Sequence, residues 1–237
     1  MNASRPRREG LWAFALLALG IVIVFAEGFA GRAPIMRDFV GFTYPSRAAT
    51  RAALVAWERA AWNPLAEIGL SRLAAPVHGA LYPGHVFLPI GDLETGVVIT
   101  WLVHVGWAAW GGYLLSRALG ARAAAAVVGG AIWAIGGYAV SMWWNGEKVL
   151  TCAWLPWLAY ALDRATRAKA VISPFGVLAA IAVAMIVSAG DPFLLVHAAG
   201  LATAALLARE PSEEVRGRRP LRALVASGLG LGLAAPV

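Results

Sequence analysis

A series of apolar runs separated by short connectors constrains this chain most. They lie near residues 11–29, 95–116, 123–144, 149–162, 170–189, 193–208 and 223–237. Crossing a bilayer as a helix takes about 20 apolar residues, and run 11–29 would rise roughly 28 Å. Lipid offers the backbone no hydrogen bonds, so segments of this kind span as helices. Only 14% of residues are charged and 60% are hydrophobic, whereas a soluble domain carries about 25% charged residues. The expectation is an all-α polytopic membrane protein with about seven transmembrane helices. Residues 1–237 then form a single transmembrane domain, and 31–93 form a long first extracytoplasmic loop. The last run is short and stops at Val237 without a polar tail, which predicts the N-terminal part of a longer chain.

Charge fixes the orientation. The N-terminus "MNASRPRREG" is basic, and so are the connectors carrying Arg117 and Arg122, then Arg164, Arg167 and Lys169, then five arginines within 209–222. The connectors "NGEK" and "GD" are short and poor in positive charge. Placing the basic connectors in the cytoplasm gives a consistent alternation, with a cytoplasmic N-terminus in a bacterial inner membrane. A cleaved signal peptide at Val24-Phe25-Ala26 is the competing reading of the first run, and it puts residue 31 onward on the same side. The net charge of +7 does not signal nucleic acid, because the basic residues fall between spans and form no patch with interleaved aromatics. The single cysteine, Cys152, excludes an internal disulfide and a CxxC metal site, and reads as a small packing residue.

Within the loop, "PSRAATRAALVAWERAAW" predicts an amphipathic helix over 46–62 on the membrane surface, with Arg47, Arg51, Glu58 and Arg59 as its polar members. Packing on the loop itself is the alternative. Pro156 predicts a break in run 149–162. The tryptophans, notably Trp143, Trp144, Trp154 and Trp157, suit the interfacial belt. His104 reads as a hydrogen-bonded core residue. Asp38, Glu147, Lys148 and Asp191 all fall at extracytoplasmic span ends or loops, where acids are costly unless they meet water, a partner or a substrate. Each also has a plain reading as a solvated turn residue. His78 and His85 with Asp38 could hold a divalent metal, although their spacing fits no recognised zinc pattern.

"RDFVGFTYPSR", "WNPLAEIGL" and "HGALYPGHVFLP", followed by "GEKVLTCAWLPWLAYALDRA" and "SAGDPF", resemble the GT-C membrane glycosyltransferases, and most closely the YfhO-like bacterial membrane proteins. The resemblance implies transfer of a sugar from a polyprenyl-phosphate donor to a glycan, lipid or protein acceptor on the outer face of the bilayer. It implies that Asp38 is the base that orients the acceptor and that Glu147 or Asp191 is a second acid. It places Asn63, His78, Tyr82 and His85 at the substrate. Chemistry adds that the departing phosphate needs a cation, supplied by Arg37, by Lys148 or by a divalent metal. Two readings from other classes stand beside it: a transporter or lipid-carrier flippase whose acids bind coupling ions, and a noncatalytic scaffold.

Overall fold

The structure is a computed structural model that describes residues 4–32, 39–58, 61–63, 69–74, 78–143, 145–168, 173–191, 196–198 and 200. It is mostly helical. Helix α1 (Ser4–Val24) continues after a turn at Phe25 into the short α2 (Ala26–Phe29). A π-helical turn at Phe39–Thr43 leads into α3 (Tyr44–Val55), where Pro45 suits the first turn, since its missing N–H has no intrahelical acceptor there. A two-stranded antiparallel ribbon pairs β1 (Trp62–Asn63) with β2 (Leu70–Ser71), setting Trp62 against Ser71 and Asn63 against Leu70. A 3-10 turn at Pro83–Phe87 then delivers the chain to α4.

Helix α4 (Leu93–Ala118) is the axis of the fold. Asp92 caps it by accepting from the Thr95 N–H at 2.8 Å. It ends in a Schellman turn, where Gly120, at φ +95°, donates to the Arg117 carbonyl and Ala121 donates to that of Ser116. Next come α5 (Ala123–Ile135) and α6 (Gly137–Ser141), α7 (Gly146–Cys152), α8 (Leu155–Arg167) and α9 (Pro174–Ala189). Helices α4 and α5 approach closely through small residues: a Cβ on Gly130 would lie 2.5 Å from the Ala109 carbonyl oxygen. Close approach through small side chains is how helices associate where no hydrophobic drive separates them from their solvent. On the far side Leu155, Leu158, Ala161 and Leu162 of α8 pack with Ala179, Ala182 and Ile186 of α9.

Among the described residues two helices are long and apolar enough to cross a membrane, Leu93–Ala118 and the α5–α6 stretch Ala123–Ser141, in place of the expected seven. The shortfall has physical causes. Run 149–162 is broken at Ala153–Trp154, and Pro156 starts α8 from its first turn, as the proline predicted. Run 170–189 yields a helix of only 16 residues. In α1 the helix reaches back into the basic N-terminal segment. Runs 193–208 and 223–237 lie wholly or mostly outside the described residues.

Three of the four tryptophans named for the belt, Trp143, Trp154 and Trp157, pack at least partly inward among the described residues. Trp143 packs on Phe25 and Trp101, and Trp157 stacks on Trp107 at 4.0 Å and donates to the Trp107 carbonyl. Trp154 is half-buried, and Trp144 lies outside the described residues. The predicted helix over 46–62 is found as α3 but stops at Val55, because Trp57 turns into the left-handed region at φ +57°.

Candidate functional site

At one end of the bundle, elements far apart in sequence meet around a buried ion pair. An Arg47 guanidinium nitrogen on α3 lies 2.9 Å from Glu147 Oε1, and the two side chains are only 2% and 6% exposed. The Thr43 hydroxyl donates to Glu147 Oε2 at 3.2 Å, so both carboxylate oxygens are engaged. The second Arg47 nitrogen donates to the His78 carbonyl at 2.9 Å. Burial pulls the Arg47 guanidinium below its ordinary pKa, and the Glu147 charge opposes that pull. Glu147 is presented by the first turn of α7, which Asn145 caps by accepting from the Lys148 N–H.

Arg72 forms the next layer. It donates to Thr50 Oγ1 at 2.6 Å and to the Ser46 carbonyl at 3.1 Å. Burial, and then the nearby Arg47, lower its pKa to about 10. His78 stacks on Phe42 with ring centroids 5.1 Å apart, and its Nδ1 is 3.4 Å from Ser46 Oγ. His85 is 2% exposed and packs edge-on to Tyr82. Burial holds its pKa well below 6.5, with the Arg47 charge acting in the same sense.

Tyr82 ties this loop to the helices. His104 Nδ1 is 2.6 Å from the Thr100 carbonyl, which can only accept, so Nδ1 carries the proton. Nε2 therefore accepts from the Tyr82 hydroxyl at 2.6 Å, and that hydroxyl accepts from Trp154 Nε1–H at 2.8 Å. His104 is thus the hydrogen-bonded core residue that the sequence suggested.

Of the residues assigned to the site, His78, Tyr82, His85 and Glu147 are gathered in this cluster. Asp191 is buried directly after α9, whose last carbonyls, Ser188 and Ala189, lie against Gly79. Lys148 is half-buried and points elsewhere, lining a cavity of about 20 Å³ with His104, Tyr138 and Cys152. A cavity of that size holds one water. Asn63 is half-buried in β1, while Arg37 and Asp38 lie outside the described residues. Among the described residues no group of three or more His, Cys, Asp or Glu side chains is placed to hold a metal ion.

Sequence reasoning took Arg47 for a surface residue of α3 and passed over Arg72. A signal was available: Thr43, Ser46, Arg47 and Thr50 recur at helical spacing, so the small hydroxyls share one face with the arginine. No known protein family, curated protein or solved structure matches the chain.

Proposed function

We propose that this chain is the membrane-embedded part of a GT-C-like glycosyltransferase of the bacterial inner membrane, with its acceptor site at the end of the bundle that carries Glu147 and Asp191. One observation supports it most: the loop before α4, the start of α7 and the end of α9 converge there, through Arg47–Glu147 on one side and Gly79 against Ala189 on the other. Two apolar helices of membrane length, one of them with only 17% of its apolar window buried, support the embedding.

In this reading the Asp38 carboxylate takes the proton of the acceptor hydroxyl as its oxygen attacks the anomeric carbon. The bond from that carbon to the donor phosphate breaks, and the electron pair leaves with the polyprenyl phosphate. The cation for the departing charge is assigned to Arg37, because Lys148 lines a small cavity away from the cluster. Asp191 is the second acid. Glu147 has a different task, because both its oxygens are occupied: it anchors the loop.

The test is sugar transfer from a polyprenyl-phosphate donor by the complete protein. Asp38→Asn keeps the size of the group and should lower the rate about 10²–10⁴-fold. A variant expressed at the normal level that keeps most of its activity removes Asp38 from the mechanism. Ion-coupled lipid movement without sugar transfer would replace the transferase by a flippase.

A further inference from the structure

Helix α3 is amphipathic inside out. Its buried residues are Ser46, Arg47 and Thr50, preceded by buried Thr43, all polar. Its outer side carries Pro45, Ala52 and Val55, all exposed, and Leu54 extends the Arg47 stripe past the core to the surface. A helix on a water-soluble surface shows the opposite pattern, with its apolar stripe facing inward. An apolar medium outside this helix would account for the inversion.

Its placement is equally informative. The Tyr44 hydroxyl donates to Glu94, and Arg51 donates to the Gly91 carbonyl at 2.7 Å. Positions 44 and 51 are roughly 10 Å apart along a helix axis, yet both meet α4 within its capping segment. So α3 is held at the N-terminal end of α4. Where α4 spans a bilayer, α3 sits at the level of its surface.

The end of α3 repeats the Schellman turn of α4 with one change. Trp57 donates to the Leu54 carbonyl and Glu58 to that of Ala53, the same bonds that Gly120 and Ala121 make after α4. The left-handed position is glycine in one turn and tryptophan in the other. Side chains avoid this conformation, and glycine is its usual occupant. Trp57 is 96% exposed, so among the described residues little intramolecular packing compensates. Indole rings favour the headgroup level of a bilayer, with an apolar body below and an N–H toward water.

We propose that the outer face of α3, with Val55 and Trp57 at its tip, is seated in the headgroup–acyl boundary of the membrane. It holds the Arg47–Glu147 face inward over the bundle. The bilayer is the occupant because the exposed apolar face continues the end of a candidate span. The inference rests on α4 being a span, but not on sugar transfer.

The experiment uses the full chain in nanodiscs of phosphatidylcholine and phosphatidylglycerol, in a Cys152→Ala background. Trp57→Cys carries an environment-sensitive fluorophore, with Ile132→Cys on the exposed side of α5 and Arg164→Cys near the end of α8 as references. Nitroxides placed shallow in the lipid should quench the label at 57 more than deep ones do, while aqueous iodide should spare it. Iodide quenching at 57 equal to that at 164, or protection from both quenchers, overturns the anchor. A lipid-protected label at 132 in that case leaves the embedding standing, and an iodide-quenched one removes both. Trp57→Gly supplies the second arm. It relieves the backbone, so unfolding resistance should hold or rise, while a label at Val55→Cys should become more accessible to iodide. Unchanged accessibility at 55 means that Trp57 anchors nothing.

Discussion

Removing the guanidinium of Arg47 should unseat the first loop. In Arg47→Met the Glu147 carboxylate remains nine-tenths buried with only the Thr43 hydroxyl at 3.2 Å, and the His78 carbonyl loses its donor. Coulomb attraction at about 4 Å and an effective dielectric near 20 is worth about 4 kcal/mol. Stripping one partner from a buried pair typically costs about 3–5 kcal/mol, because the other charge is stranded. Glu147→Leu should cost a similar amount by stranding Arg47. The double variant strands neither charge, and its remaining deficit is the orphaned His78 carbonyl and Thr43 hydroxyl, about 1–3 kcal/mol. The two single losses should therefore fail to add by at least about 2 kcal/mol. Unfolding in mixed micelles of increasing denaturing detergent, followed by circular dichroism, measures all four proteins. Single variants that each lose under about 1 kcal/mol, or a double variant equal to their sum, would refute the pair as the anchor of the loop.

Acid should loosen the same region. The pKa of His85 in the fold lies well below 6.5, so the unfolded chain takes up a proton first as pH falls. The contribution is intact above 6.5 and is lost below it, at up to about 1.4 kcal/mol per pH unit. Thermal unfolding between pH 7.5 and 5 should show a slope to which His78, lowered by the same burial, also adds. His85→Phe should reduce it by the His85 share; an unchanged slope assigns it elsewhere. Gly130→Ala places a Cβ 2.5 Å from the Ala109 carbonyl oxygen, so α4 and α5 must separate at a cost of about 1–3 kcal/mol, read in the same detergent titration. For orientation, an impermeant thiol reagent on intact cells should label the exposed Arg32→Cys and spare Arg164→Cys, both in the Cys152→Ala background. The reverse pattern inverts the topology.

Helical character, the break at Pro156 and the buried role of His104 were legible in the sequence, because each follows from rules acting over a few residues. Apolar runs of this length must satisfy their backbone internally, a proline cannot continue a helix, and a lone imidazole in an apolar run must find a partner. The span count was less legible, since hydropathy reports how greasy a stretch is and not where its helix begins or stops. The site divides along the same line. The motifs containing His78, Tyr82, His85 and Glu147 stood out in the chain, but nothing local tells a solvated glutamate from one held by an arginine 100 residues earlier. That pairing depends on the fold bringing α3 against the first turn of α7. It also reverses what an arginine on an amphipathic helix normally signals: Arg47 faces in and Trp57 faces out. By itself the sequence determined that the chain is helical and suited to an apolar medium. Only the tertiary structure decided which side chains of α3 are buried, because charge burial depends on a partner that lies near in space and far away in sequence.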